Sequence, residues 1–210
     1  MTRLSRAESQ AQTRELLVQT ARRLFVSDGF LNTSLEKVAA EAGYSKGAVY
    51  SNFASKFDLG FVVIERIHDE QVERLQAELA TGTTAEDLVE GFSRWADKSV
   101  GNEEWTMLEL ELVVGSRGNP DLRRQVAQHR RDIAGRFAGI LEDQRVKLGL
   151  DLPMSIAEAT SLMWTMGVGV GIQRAVDPNL SVTPLVDLIR TIAASAATAS
   201  AQAAPGAQQG

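Results

Sequence analysis

Between Ser45 and Asn52 the chain gathers side chains suited to a phosphate or a base edge. Lys46 is a donor at the start of a short expected helix, where the helix itself also favours an anionic or base acceptor. Gly47 and Ala48 are small enough for close approach to a groove, and the Ala48 methyl can meet a thymine methyl. Tyr50 and Asn52 can donate to phosphate oxygens, which fixes register rather than reading sequence. Bond-breaking chemistry has no comparable signal. There is no nucleophile–base–acid set, so no catalytic residue is expected and the chain is not read as an enzyme. Gly167 and Gly169 would need a further glycine at 172 to make a phosphate loop, and Ile172 stands there. His68 and His129 are the only histidines and are not spaced as a ligand pair. Both are expected on the solvated surface, with no metal and no cofactor.

Those donors need a scaffold. A helix-turn-helix requires a small residue where its helices touch, a turn residue tolerant of positive φ, and an apolar anchor under the second helix. Ala39, Gly43 and Val49 meet that spacing, with Val38 and Ala42 as support. Leu24 and Phe25 can close a three-helix core over Val49 and Phe53. The same spacing also fits a surface helix of a bundle whose polar residues are merely solvated.

The 210 residues carry 22 Lys+Arg against 27 Asp+Glu, 44% hydrophobic residues and no cysteine. This composition is globular and excludes disulfides and thiolate chemistry. Residues 1–58 hold 8 Lys+Arg and 6 Asp+Glu, the remainder 14 and 21. A mildly basic head on an acidic body is compatible with DNA met by one segment only. Met1 to Arg14 lacks the apolar core of a secretory signal. The longest nearly uncharged apolar stretch, Leu162 to Ile172, is about half a membrane span. A cytoplasmic protein without a membrane partner is expected.

Periodicity is helical nearly throughout, and the fold class is all-α with about nine helices. Leu17, Ala21, Leu24 and Phe25 mark a first helix ended near Gly29. Thr33 and Glu36 read as a capping box opening a second that Gly43 stops. Ser45 caps a third through about Phe53, and Ser55 opens a long fourth that ends near Gly82. Later starts fall at Thr83 (Glu86 three on), Asn119-Pro120, Ser155 (Glu158 three on) and Thr183-Pro184. They predict helices over 84–99, 103–115, 120–148, 155–175 and 184–199. The division is a helix-turn-helix head over 1–58 and a helical body over 59–200. A helix from about 55 to 80 links them, and 201–210 is expected to be a disordered tail.

The segment T-S-L-E-K-V-A-A-E-A-G-Y-S-K-G-A-V-Y-S-N-F-A-S-K-F-D-L, Thr33 to Leu59, resembles the DNA-binding signature of the TetR family of bacterial transcriptional regulators. A-R-R-L-F-V-S-D-G-F, Ala21 to Phe30, resembles that family's first helix and its turn. The resemblance implies a backbone-phosphate contact at Thr33, base-edge approach by Lys46, Gly47 and Ala48 with Tyr44 beside them, and phosphate contacts from Tyr50 and Lys56. Asn52 stands where the family often has His, and an amide loses any charge-assisted bond. Ser51 replaces a frequent Tyr or Trp.

The resemblance further implies a homodimeric repressor on a palindromic double-stranded operator, released when a small-molecule effector enters the helical domain. Pockets of about 300–1,000 Å³ are mostly apolar with a few placed polar groups. Trp95, Trp105, Met107, Glu109, Met163 and Met166 suit one, although aromatic and Met residues at helical spacing are more often plain core. Glycines inside a helix cost roughly 1 kcal/mol each against Ala. Those near Trp164 therefore point to close helix packing, either at a dimer interface with Gly167, Gly171, Leu185, Leu188 and Ile192 or as ordinary packing within the chain. Arg123, Arg124, Arg130, Arg131 and Arg136 read as a solvated face paired with Asp121, Asp132 and Glu142. Two alternatives remain at this point: a constitutive DNA-binding protein without effector, and a helical small-molecule-binding protein or enzyme.

Overall fold

The computed structural model describes residues 5–202, and all regular structure among them is helical. The elements are α1 (Arg6–Asp28), α2 (Leu35–Glu41), α3 (Lys46–Asn52), α4 (Lys56–Leu79), α5 (Ala85–Ser99), α6 (Glu103–Gly115), α7 (Pro120–Leu148), α8 (Ile156–Val176) and α9 (Thr183–Gln202). The expected tail, 201–210, lies outside the described residues apart from Ala201 and Gln202.

Short polar side chains start the helices by taking their unpaired backbone N–H groups. Ser155 and Glu158 form the expected reciprocal box, and Ser5 forms another with Glu8. Asn119 accepts from the N–H groups of Asp121 and Leu122 ahead of Pro120. Two starts differ from expectation by one residue. Ser34, not Thr33, caps α2 and accepts from Lys37 N at 3.1 Å. Leu35 is buried and must be the first helical residue, so the extended cap conformation falls on Ser34. Likewise Thr84 with Asp87, rather than Thr83 with Glu86, boxes α5.

The chain divides into two compact units, each with its own core. One comprises the residues up to His68 together with Glu103–His129; the other comprises Asp69–Asn102 with Arg130 onward. In the first, Leu17, Ala21, Leu24, Phe25, Val38, Ala39, Val49 and Phe53 form the three-helix core. It continues into Leu59, Val63, Ile64 and Ile67 of α4 and Trp105, Leu108 and Leu112 of α6. Thus α6 packs with the N-terminal helices, because its apolar face recurs every three or four residues toward α4. In the second, Val89, Trp95 and Ala96 of α5 bury against Leu185 and Val186 of α9, with Leu75, Leu79 and Ile140.

Both histidines depart from the surface expectation. His68 is only 2% exposed, and its ring stands edge-on to Trp105 with centroids 5.7 Å apart. His129 is half-buried, its ring centroid 6.0 Å from that of His68 and 5.7 Å from that of Phe61. The cause is helical register: Phe61, Ile64 and His68 share one inward face of α4. The arginine pairing is also redistributed. Arg124 does pair with Asp121, but Arg136 pairs with Asp69 on α4, and Glu142 pairs with Arg145 at 2.7 Å.

Candidate nucleic-acid interface

The turn between α2 and α3 is built by backbone bonds. Tyr44 N–H donates to Ala39 O at 2.8 Å and Gly43 N–H to Ala40 O at 3.1 Å, the paired closure that ends a helix with a left-handed residue. Gly43 supplies it at φ 76°. α3 then begins at the Ser45 cap, whose hydroxyl accepts from Ala48 N at 3.3 Å. Val49 and Phe53 are buried and fix which side of α3 faces in. At its far end the Arg14 guanidinium donates to Asn52 O at 2.8 Å and lies 4.3 Å over the Phe53 ring. So α1 holds the C-terminus of α3 in place.

On the opposite side Ser45, Lys46, Gly47 and Tyr50 are exposed and Ala48 half-exposed. Tyr44 is half-buried against the core. Asn52 turns its amide back to Ala48 O at 2.8 Å. Thr33 is 1% exposed, and its hydroxyl donates to Gly29 O at 2.8 Å, bracing the turn after α1 from inside. Lys56 is half-buried and donates to the carbonyls of Phe30 and Leu31 at 2.9 and 3.0 Å. Burial pushes its ammonium pKa down, with Glu111 opposing the shift.

One residue of this surface escaped the sequence reading. Glu36, taken there as a capping side chain, reaches across from α2 to α3. Its Oε1 accepts from Lys46 Nζ at 2.7 Å and from Tyr50 OH at 3.0 Å. The Lys46 bond comes first in holding its carboxyl down to about 2, followed by its own backbone N–H and the Tyr50 hydroxyl. The same contact raises the pKa values of Lys46 and Tyr50. No helical spacing links residue 36 to residue 46; only the angle between the two short helices does.

The six residues expected around an effector fall in both units. Trp105 and Glu109 are buried in the first, while Met107 of the same helix is exposed. Trp95 is buried in the second, donates from Nε1 to Gln71 O at 3.1 Å, and meets the rings of Phe92 and Phe137 at a tilt. Met163 and Met166 are half-buried there.

Of the residues expected at a dimer interface, Leu185 is fully packed inside the chain's own core and Gly171 is buried. Trp164, Gly167, Leu188 and Ile192 are half-exposed. An added Cβ at Gly167 or Gly169 meets nothing within 4 Å. Alongside, Leu162, Ile172 and Val176 of α8 are exposed, the last at 84%. Among the described residues no helix is long and apolar enough to cross a membrane.

Residues 17–60 match the model of the bacterial regulatory proteins, tetR family. The HTH-type transcriptional regulator CymR of Pseudomonas putida is 24% identical over 162 residues, covering 77% of each chain. The HTH-type transcriptional regulator AcrR of Shigella flexneri is 36% identical over 78 residues, 37% of this chain and 35% of that one. Among solved structures, reduced NemR of E. coli superposes with a TM-score of 0.66 at 21% identity, covering 86% of this chain and 96% of the other. The fatty acid degradation regulator FadR of Bacillus halodurans does so at 0.65 and 15%, covering 91% and 96%.

Proposed function

We propose, from the premise that this chain is a transcriptional regulator of the TetR family by its amino-terminal domain, that it works as a homodimeric repressor. In this reading it acts in the cytoplasm on a palindromic operator and leaves it when a small molecule binds. The observation that carries the reading is α3: seven residues after an exposed Ser45 cap, anchored inward by Val49 and offering Lys46, Gly47 and Tyr50 outward. A helix so presented can enter a major groove.

Lys46, Gly47 and Ala48 are the proposed base-edge residues, with Tyr44 and Ser45 beside them. Tyr50, Asn52 and Lys56 are the proposed phosphate contacts, and Thr33 supports them by bracing the preceding turn. Residues 1–58 are the proposed DNA-binding part and 59–200 the effector and dimer part. For the dimer, the support is the exposed stripe of Leu162, Gly169, Ile172 and Val176 on α8, apolar and open to close approach. Trp164, Gly167, Leu188 and Ile192 would flank it, with Leu185 and Gly171 backing it from inside. Trp105 with Glu109, and Trp95 with Met163 and Met166, are the proposed effector contacts.

The test is selection of bound sequences from random duplex DNA at about 150 mM salt, where charge attraction between separated groups is screened. Enrichment of a palindrome with half-sites about one helical turn apart is the expected result. A folded, dimeric protein that enriches no sequence would overturn the reading. A panel of small molecules titrated into the complex then tests release; a dimer that no compound removes would be a constitutive regulator.

A further inference from the structure

An acidic group on a surface meant for DNA is a liability, since every nearby phosphate repels it. Glu36 is such a group. It is 44% exposed on its side chain, next to Lys46 at 67%, and it touches two of the residues assigned above to DNA. Its carboxylate also stays ionised through the whole physiological range. A carboxylate is tolerated at a DNA face where it meets a hydrogen-bond donor, and the major groove offers donors only at amino groups of bases.

The pair Glu36–Lys46 sets an acceptor and a donor side by side, 2.7 Å apart. One G·C pair presents the complement in the major groove: the cytosine amino group as donor, beside guanine O6 and N7 as acceptors. We propose that Glu36 is a specificity-determining residue that reads, together with Lys46, one G·C pair in each half-site. The carboxylate accepts from the cytosine amino group, and the ammonium donates to guanine. Where no base amino group lies in reach, the carboxylate meets phosphates or acceptors without a compensating donor, so it penalises non-specific binding; an A·T pair offers the adenine amino group but a single purine acceptor, N7, in place of guanine's two. Tyr50, held by the same oxygen, keeps Glu36 turned toward α3.

This proposal rests on the regulator reading, and its test separates the two. The wild-type protein, Glu36→Gln and Glu41→Gln are each assayed on the selected operator and on copies with single base pairs exchanged. Glu41 is the control: it removes the same charge from α2, but its partner is Arg23 at 3.3 Å, not a residue of α3. Wild type and Glu41→Gln should lose about tenfold or more in affinity when one G·C pair of each half-site is exchanged. Glu36→Gln should lose that discrimination and bind unrelated DNA more tightly than wild type. An unchanged far-UV circular dichroism spectrum and a cooperative melt in each of the three proteins show that the fold is unaffected. An operator without such a pair, unchanged discrimination in Glu36→Gln, or equal shifts in both variants on all sequences would each overturn the proposal while leaving the regulator reading intact. A wild type that enriches no operator overturns both.

Discussion

Glu111 Oε2, on α6, accepts the backbone N–H of Leu31 at 3.1 Å. Leu31 lies in the turn that leads from α1 into the helix-turn-helix, so α6 is pinned to the entrance of that motif. A Cβ at Gly29 would come within 3.0 Å of the same carboxylate, so the turn passes close under it. Arg22 of α1 adds an ion pair to Glu104 at the other end of α6.

Replacing Glu111 with Ala should therefore loosen the turn. Hydrogen bonds to charged groups contribute about 1.5–3 kcal/mol, and exposure of Leu31 brings this one to about 1 kcal/mol. Urea denaturation would show the midpoint fall with the slope unchanged. An unmoved midpoint would mean that the turn is held by other contacts alone.

Lys56 grips the same turn from α4, through the carbonyls of Phe30 and Leu31 and over the Phe30 ring at 4.7 Å. An ammonium has three donors, so two go to the turn and one is left for a phosphate. Lys56→Ala should show both roles at once. Stability should fall by about 1–2 kcal/mol, and the salt dependence of operator binding should flatten by about one unit per half-site. A stability loss with an unchanged salt slope would make Lys56 purely a brace.

The contrast between Lys56 and Lys46 shows where reading residues in order succeeds and stops. Helix boundaries from α5 to α9 were legible to within a few residues, because Ser155, Asn119-Pro120 and the apolar periods act locally. So was the three-helix core, since Ala39, Gly43 and Val49 are tied by turn geometry alone. What was not legible depends on elements meeting at distance. Glu36 looked like a cap until α3 came across it, and Thr33 looked like the cap that Ser34 supplies. His68 looked solvated until Trp105 arrived from α6.

The Glu36 network carries a pH signature. Its carboxyl is lowered from the ordinary 4.5 to about 2. A depressed folded-state pKa means that the ionised group favours the native structure. That contribution is complete above about pH 4.5 and is lost as pH falls toward 2. Carboxyl-carbon NMR shifts should therefore place the Glu36 midpoint well below the ordinary 4.5. In Lys46→Ala it should move back up, because the largest cause is removed. A midpoint near 4.5 in the wild type would mean that the contacts with Lys46 and Tyr50 do not persist in solution.

Two glycines inside helices separate packing within the chain from packing against a partner. Gly60 on α4 faces Phe30: an added Cβ would lie 2.7 Å from Phe30 Cε2 and 3.1 Å from Leu112 Cδ2. Phe30 cannot retreat, being fully buried and edge-packed on both Phe25 and Phe57. Gly60→Ala should destabilise the chain by about 1–3 kcal/mol through overpacking, more than the roughly 1 kcal/mol gained in helix propensity. Gly169 on α8 has open space instead. Gly169→Ala should stabilise the isolated chain by up to about 1 kcal/mol. If a second copy packs on that stripe, the added methyl occupies the close-approach position and the dimer weakens. Sedimentation at a series of concentrations reads the second effect and urea denaturation of the dilute protein the first. A stabilised chain with undiminished association would move the dimer interface off the stripe of Leu162, Gly169, Ile172 and Val176.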